Sequence, residues 1–433
     1  MSLESNKASA PAPAAPRDTG GYFSNVFSSL RYRAYLWLWL ALSGYSISES
    51  IEWMGRNWLL WQMTGSPLLL GLMNLARSVP RLIFGLVGGV MADRVDKRQL
   101  LLYCQVTMVV LKLAMALLIW AGRVEVWHVF ALAVLTGLTM SVIAPTRESI
   151  TPYLVPREEL VGAVSLNRVA QFLLFLLTPV AAGPASLVIG IGGIYFVAAV
   201  VNAVVVYFSW KLPRLPPEKS RAATSWWGDL TGGLHYVASH GTMLRLMILS
   251  LVPMVFAFPY QTLLPVFADN VFHIGVSGYG FLLGAAGLGA VVGMGALGLL
   301  GNYKKQGTVV LVSITAFGVL LLAFAASGWL PLSLVLMVGV GTAGFVYRTV
   351  TVTLMYGLTP PEMYGRVMSI LMLDFALMSF GSTLAGALAN SYGAPTALAI
   401  MASVVVVLAV GMGLASPQLR QLRSEARRKP AGG

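Results

Sequence analysis

Two apolar runs, Leu68–Met91 and Leu100–Trp120, are joined by the charged turn GGVMADRVDKRQLL, Gly88–Leu101. Each run is long enough to cross a bilayer as a helix. Asp93, Arg94, Asp96, Lys97 and Arg98 fall within six consecutive positions, so the turn must sit in water or among head-groups. Its basic residues place it on the cytoplasmic side. Gly85, Gly88 and Gly89 let the preceding helix pack close to a neighbour.

The same alternation continues along the chain and predicts an all-α membrane protein with twelve crossings. They fall at about Ala34–Met63, Leu68–Ala92, Leu100–Ala121, Trp127–Ala144, Val161–Ile189, Ile194–Trp210, Met243–Phe267, Tyr279–Leu300, Thr308–Ala326, Pro331–Leu358, Val367–Ser391 and Thr396–Leu414. Pro145–Leu160, with three prolines and the charged Arg147 and Glu148, reads as an inside loop. The organisation expected is a disordered cytoplasmic tail at 1–32, a six-helix bundle at 33–210, a linker at 211–242, a second six-helix bundle at 243–416 and a basic tail at 417–433. Within the linker, Trp226, Leu230, Leu234 and Val237 recur at helical spacing, which suits a helix on the inner membrane surface or one packed on the bundle.

Composition agrees. The chain is 57% hydrophobic and 10% charged, which no soluble domain of 433 residues matches. The net charge of +13 would suggest nucleic acid in a soluble protein. Here most Lys and Arg fall in the segments placed inside, and Arg123 alone in an outside loop. The charge therefore reads as membrane orientation, with no nucleic-acid partner and weak attraction to anionic lipid. The single Cys104 permits no internal disulfide and no thiolate metal cluster. Residues 1–30 lack the short apolar core of a secretory signal.

The charged turn resembles the signature loop of the major facilitator superfamily, roughly Gly-x-Leu-Ala-Asp-Arg-x-Gly-Arg-Lys-x-x-Leu. This chain offers Gly89, Met91 for Leu, Ala92, Asp93, Arg94, Asp96 for Gly, Lys97, Arg98 and Leu101. A six-plus-six repeat also shows: LVPREELVGAV (Leu154–Val164) is similar to LTPPEMYGRVM (Leu358–Met368). Further segments, WQMTGSPLLLGLMNLARSVPRLIFG, SWWGDLTGGLHYV and LLPVFADNVF, resemble the drug:proton antiporter branch with enterobactin exporters and macrolide efflux pumps. The resemblance implies two pseudo-symmetric six-helix bundles about a central substrate site. It also implies an inside gate at Gly89, Asp93, Arg94, Lys97 and Arg98, with Asp93 capping the eleventh helix. Two departures stand out. The fourth helix lacks the Arg of the Arg-x-x-x-Gly motif, and Thr178-Pro179 and Gly183-Pro184 fit the fifth-helix motif only loosely.

The charges inside crossings carry the candidate chemistry, because each costs at least about 2.5 kcal/mol to insert and normally has a task. In SESIEWMGR, Glu49, Glu52 and Arg56 share one helical face. Glu52 and Arg56 pair at i, i+4, which leaves Glu49 as the less compensated acid. Glu49, Glu52 and, in helix 11, Asp374 are the candidate proton carriers; a structural ion-pair knot is the alternative. Arg77 and Arg81 share a face of helix 2. A rise of about 1.5 Å per residue sets Glu52 about 25 Å and Arg77 about 22 Å from the inside, so the two can meet. Arg348 and Asp374 lie at about 13 and 12 Å by the same count and are natural partners. Lys112 pairs with a helix-1 Glu or snorkels. Arg56, Arg77, Arg81, Lys112, Arg348 and Trp53 are the candidate charge partners or substrate contacts. Trp53 can stack on a planar ligand; Trp58 and Trp61 read as interfacial belt.

Enzymatic readings lack parts. The four histidines have no ligand spacing, Gly287-x-Gly289 has no strand or ribose-binding acid beside it, and no Walker-type Gly-Lys-Ser/Thr exists. No catalytic residue, cofactor or metal is called for. The function expected is proton-coupled export of amphipathic small molecules, drugs or siderophores, by a monomer in a prokaryotic plasma membrane, multi-pass with both termini cytoplasmic. A lipid or lysophospholipid translocase and a non-transporting membrane sensor are the alternatives.

Overall fold

The computed structural model describes residues 28–215, 237–300, 305–360, 363–364, 367, 374–420 and 422, without the side chains of 86–90, 92–93, 300 and 374–375. The tail 1–27, most of the linker with its expected surface helix, and the basic end beyond 422 lie outside the described residues.

The described residues are almost wholly helical. After a 3-10 turn at Ser28–Arg31 come α1 (Arg33–Thr64), α2 (Pro67–Arg94), α3 (Lys97–Trp120), α4 (Val126–Ile150) and α5 (Leu160–Trp210). Then follow α6 (Gly241–Phe256), α7 (Tyr260–Val266), α8 (Gly275–Leu300), α9 (Gln306–Ala326), α10 (Leu330–Leu358), α11 (Asp374–Tyr392), α12 (Ala394–Ala415) and the short α13 (Pro417–Arg420). Among the described residues, nine stretches are long and apolar enough to cross a membrane. α1 is not among them: its 32 residues suffice in length, but Glu49, Glu52 and Arg56 interrupt the apolar run.

Local chemistry sets the ends. Gly65, at φ 59°, terminates α1 in the left-handed region and returns its N–H to the Trp61 carbonyl. Ser66 then caps α2, with Pro67 at its first position. Asp96 caps α3 by accepting from the Arg98 and Gln99 N–H groups at 2.9 and 3.1 Å. α5 is two helical segments that meet at Gly190, whose φ of 69° and ψ of 174° are open to glycine alone at little cost.

One expected loop begins as helix. α4 continues through Pro145 to Ile150, and only 151–159 leave it. A proline is tolerated in such a helix where nearby hydroxyls satisfy the carbonyls of the loosened turn. Here the Thr146 hydroxyl donates to the Val142 carbonyl at 2.7 Å. Arg147 and Glu148 therefore stand on a helix face.

α1 packs on α5, α2 on α4, and α3 on both α4 and α5; in the later part of the chain α8 packs on α10, α9 on α10 and α12, and α6 on α11. These two groups meet along α2–α11 and α5–α8. The α2–α11 seam is tight near the α1–α2 turn. A Cβ on Gly71 would run into the Ser382 carbonyl and the Thr383 Cα, and one on Gly386 into the Pro67 carbonyl. Hydroxyls close the seam further in: Ser379 donates to Ser78 at 2.5 Å, and Asn74, Thr262 and Ser382 form a chain at 3.2 and 3.0 Å. Beside it, Trp61 of α1 donates from Nε1 to Asp269 at 2.8 Å, and Trp58 stacks on Tyr279 of α8. Both tryptophans are buried, so they pack between helices and are not interfacial belt. A later helix group covers a face that the sequence alone leaves open to lipid.

This seam predicts a packing effect. Gly71→Ala forces α2 and α11 apart, an overpacking cost of about 1–3 kcal/mol that lowers the apparent Tm. Gly85→Ala, where a Cβ meets nothing within 4 Å, leaves the Tm unchanged. Thermal unfolding of the purified protein measures both.

Candidate functional site

Of the α1 face expected from spacing, Glu49 lines the site, and Glu52 and Arg56 lie behind it. Glu49, Glu52 and Arg56 are all buried. Arg56 donates from Nη1 to Glu52 Oε1 at 2.6 Å, both side chains wholly enclosed. Arg77 of α2 pairs with Glu49, not with Glu52 as the depth count suggested. Two features account for this: Glu52 is engaged by Arg56 one turn on, and Arg77 is held against α4, where it lies over Gly137 and its Nη2 donates to Met140 Sδ at 2.9 Å.

Lys112 neither bonds directly to a glutamate nor snorkels. It is buried, and its Nζ donates to the Ser48 hydroxyl at 2.7 Å, which donates on to the Ala198 carbonyl at 2.7 Å. Its ammonium remains in the electrostatic reach of Glu52. Trp53 is half-buried and tilts against Phe175 of α5, with ring centroids 5.9 Å apart.

Two adjoining chambers lie beside α1. The smaller, about 300 Å³, is lined by Tyr45, Arg81, Arg147, Glu148, Asn167 and Arg168 among others. The larger, about 520 Å³, is lined by Glu49, Phe172 and Phe175 from the first helix group and by Met294 and Phe345 from the second. Tyr45, Met140, Arg147, Arg168 and Gln171 border both. Phe172 and Phe345 meet across the groups at 5.4 Å. Arg168 and Glu148 pair at 2.6 Å with both side chains about two-thirds exposed, which puts them at the mouth. So exposed a pair is worth at most about 1 kcal/mol.

Of the two acids of α1, Glu49 touches the larger chamber and Glu52 touches neither. Arg147, read from sequence as a loop residue, is instead central. Its guanidinium lies 4.3 Å from the centre of the Tyr45 ring and donates to Gln171, while its buried Nε has no hydrogen-bond partner. The signal was available: Met140, Ala144, Arg147 and Thr151 stand at i, i+4, i+7 and i+11, one helical face, and all four line the smaller chamber.

At the α2–α3 turn, Lys97 is buried with its Nζ over the Tyr153 ring at 4.8 Å, and Arg98 donates to the Trp210 carbonyl at 2.5 Å. The Lys97 N–H donates to the Leu215 carbonyl at 3.1 Å. Arg94 is exposed. These contacts stay within the first helix group. The side chains of Gly89's neighbours and of Asp93 lie outside the described residues, as does the Asp374 carboxylate expected to face Arg348 of α10. Among the described residues no group of three His, Cys, Asp or Glu side chains could hold a metal ion.

Known proteins place this architecture. The chain is 22% identical over 400 residues to macrolide efflux protein A of Streptococcus pyogenes, covering 89% of this chain and 96% of that one. It is 26% identical to the enterobactin exporter of Escherichia coli, covering 87% and 85%, and 22% identical to the staphyloferrin A transporter of Staphylococcus aureus, covering 81% and 89%. In fold it is similar to a peptide transporter (TM-score 0.72, 14% identity, 90% of this chain and 95% of that). It is also similar to an inward-facing bacterial homologue of the lysosomal transporter Spinster (TM-score 0.69, 14% identity, 92% and 99%). The family described as transmembrane secretion effector matches residues 24–430. With nearly its whole length matched, the chain belongs to that family of the major facilitator superfamily, multi-pass membrane transporters and not enzymes.

Proposed function

We propose that this transporter exports amphipathic small molecules, drugs or siderophores, in exchange for protons. Twelve crossings in two six-helix halves would do this by alternating access. The count follows if α5 crosses twice about Gly190, α6 with α7 crosses once, and α1 and α11 each cross once. The basic α2–α3 end is then cytoplasmic in a prokaryotic plasma membrane, with both termini on that side. The seams near the α1–α2 turn close the outer face while the chambers open inward. Gly89, Asp93, Arg94, Lys97 and Arg98 form the inside gate, engaging α11 in the opposite state.

The observation that carries the reading is Glu49, a buried carboxylate on the wall of a chamber lined from both helix groups. A proton on Glu49 removes the ionic hold on Arg77, and so links protonation to the wall that contacts substrate. A shift of one pKa unit between the two states is worth about 1.4 kcal/mol, enough to bias a two-state balance about tenfold. Asp374 is a second carrier in the later half, with Arg348 its partner.

Inverted vesicles with an energised pH gradient test the proposal. Addition of a transported siderophore or macrolide releases protons, read as dye dequenching, and vesicles without the protein do not respond. Flux of radiolabelled substrate with no proton release would remove the coupling. An apolar groove of about 460 Å³ at the α5–α8 seam, lined by Leu177, Val180, Phe281 and Leu288, favours a lipid translocase as the second reading. Movement of labelled lysophospholipid in the same vesicles would select it.

A further inference from the structure

The two chambers differ in chemistry, and the difference selects a ligand charge. Among the described residues, the smaller chamber is bordered by the guanidinium groups of Arg147 and Arg168 and by the Glu148 carboxylate. Glu148 pairs with Arg168 at the mouth. The contacts of Arg147 are uncharged, namely the Gln171 amide oxygen and the Tyr45 ring. Its Nε is buried and without a hydrogen-bond partner. Glu49, the other acid on the cavity wall among the described residues, is paired with Arg77. Arg147 therefore presents the chambers with a positive charge that its own contacts do not neutralise, and low-dielectric walls concentrate its field. A cation entering here meets repulsion, whereas a forked oxyanion matches the planar donor array of Arg147.

The larger chamber supplies the other half of the recognition. Phe172, Phe175 and Phe345 form a wall of ring faces and edges one step from Arg147. A planar apolar body fits such a wall, by offset or edge-to-face contact. From this juxtaposition we infer that the substrate is an aromatic anion, its carboxylate, phosphate or catecholate oxygens on Arg147 and its ring system against the wall of Phe172, Phe175 and Phe345. The inference rests on the export reading for its site and narrows that reading to acidic substrates, against cationic drugs.

The test uses the full-length protein in phosphatidylcholine nanodiscs, with no gradient. Two probes share one ring system and differ in charge: 2-naphthoate and 2-naphthylmethylammonium. Calorimetric titration is expected to show 2-naphthoate bound at least tenfold more tightly, about 1.4 kcal/mol. Arg147→Gln removes that preference, Arg147→Lys restores part of it, and Phe172→Ala weakens both probes alike. The wild-type preference needs no variant, so a poorly folding Arg147→Gln leaves the test intact. Equal affinity, absence of binding by both probes, or preference for the ammonium overturns the inference. Its failure is separable from that of the export reading. Preferential naphthoate binding without substrate-driven proton release would sink antiport alone. Proton release driven only by lipophilic cations would sink the charge assignment alone.

Discussion

Glu49→Gln is expected to reduce substrate-driven proton release to background while leaving 2-naphthoate binding within a few-fold of wild type. Glutamine keeps the size and the oxygen that accepts from Arg77 but cannot carry a proton. The cost in stability is smaller than for the fully enclosed Glu52–Arg56 pair, because glutamine still accepts from Arg77, whose side chain is 16% exposed. Glu52→Gln is expected to behave in the opposite way. Glu52 touches neither chamber and lies wholly buried against Arg56, with Lys112 also in its field. Its loss leaves enclosed cations without a counter-charge, a penalty on the order of 3–5 kcal/mol. Yield and apparent Tm fall, but proton release per folded molecule persists. Release abolished in Glu52→Gln at unchanged Tm, and intact in Glu49→Gln, would transfer the carrier role to Glu52.

The charged face of α1 was legible because charge inside an apolar run is costly and helical spacing is fixed. The pairing of Glu52 with Arg56 followed from spacing alone. The partner of Glu49 did not, since a depth count along two helices ignores how α2 leans on Gly137 and Met140 of α4. Arg147 was hidden by Pro145, which punctuates loops in water but is tolerated inside a membrane helix, as in α4. Trp58 and Trp61 were misassigned for a different reason. An aromatic residue near a helix end suits lipid head-groups equally well, and only the arrival of Tyr279 and Asp269 from the later half of the chain decides that they are covered by protein. Positions set by one helix were readable; positions set by contact between distant helices were not.

A second large effect concerns stability, and its asymmetry follows from the three-charge arrangement around Glu52. Arg56→Met removes one cation and leaves the Glu52 carboxylate still compensated in part by Lys112. Glu52→Gln instead strands both Arg56 and Lys112. Both single variants lower the apparent Tm of the reconstituted protein, and Glu52→Gln lowers it more. Each cost is of the order of several kcal/mol, since a buried ion pair broken on one side leaves an uncompensated charge. The double variant Glu52→Gln with Arg56→Met is expected to be more stable than Glu52→Gln alone, a favourable coupling of about 1–3 kcal/mol. It does not return to wild type, because Lys112 keeps only the Ser48 hydroxyl. Adding Lys112→Met removes that last charge and raises the Tm again. Additive single effects, or a Tm unaffected by Lys112→Met in the double background, would show that the three charges do not act as one unit, and that water inside the bundle screens them from one another.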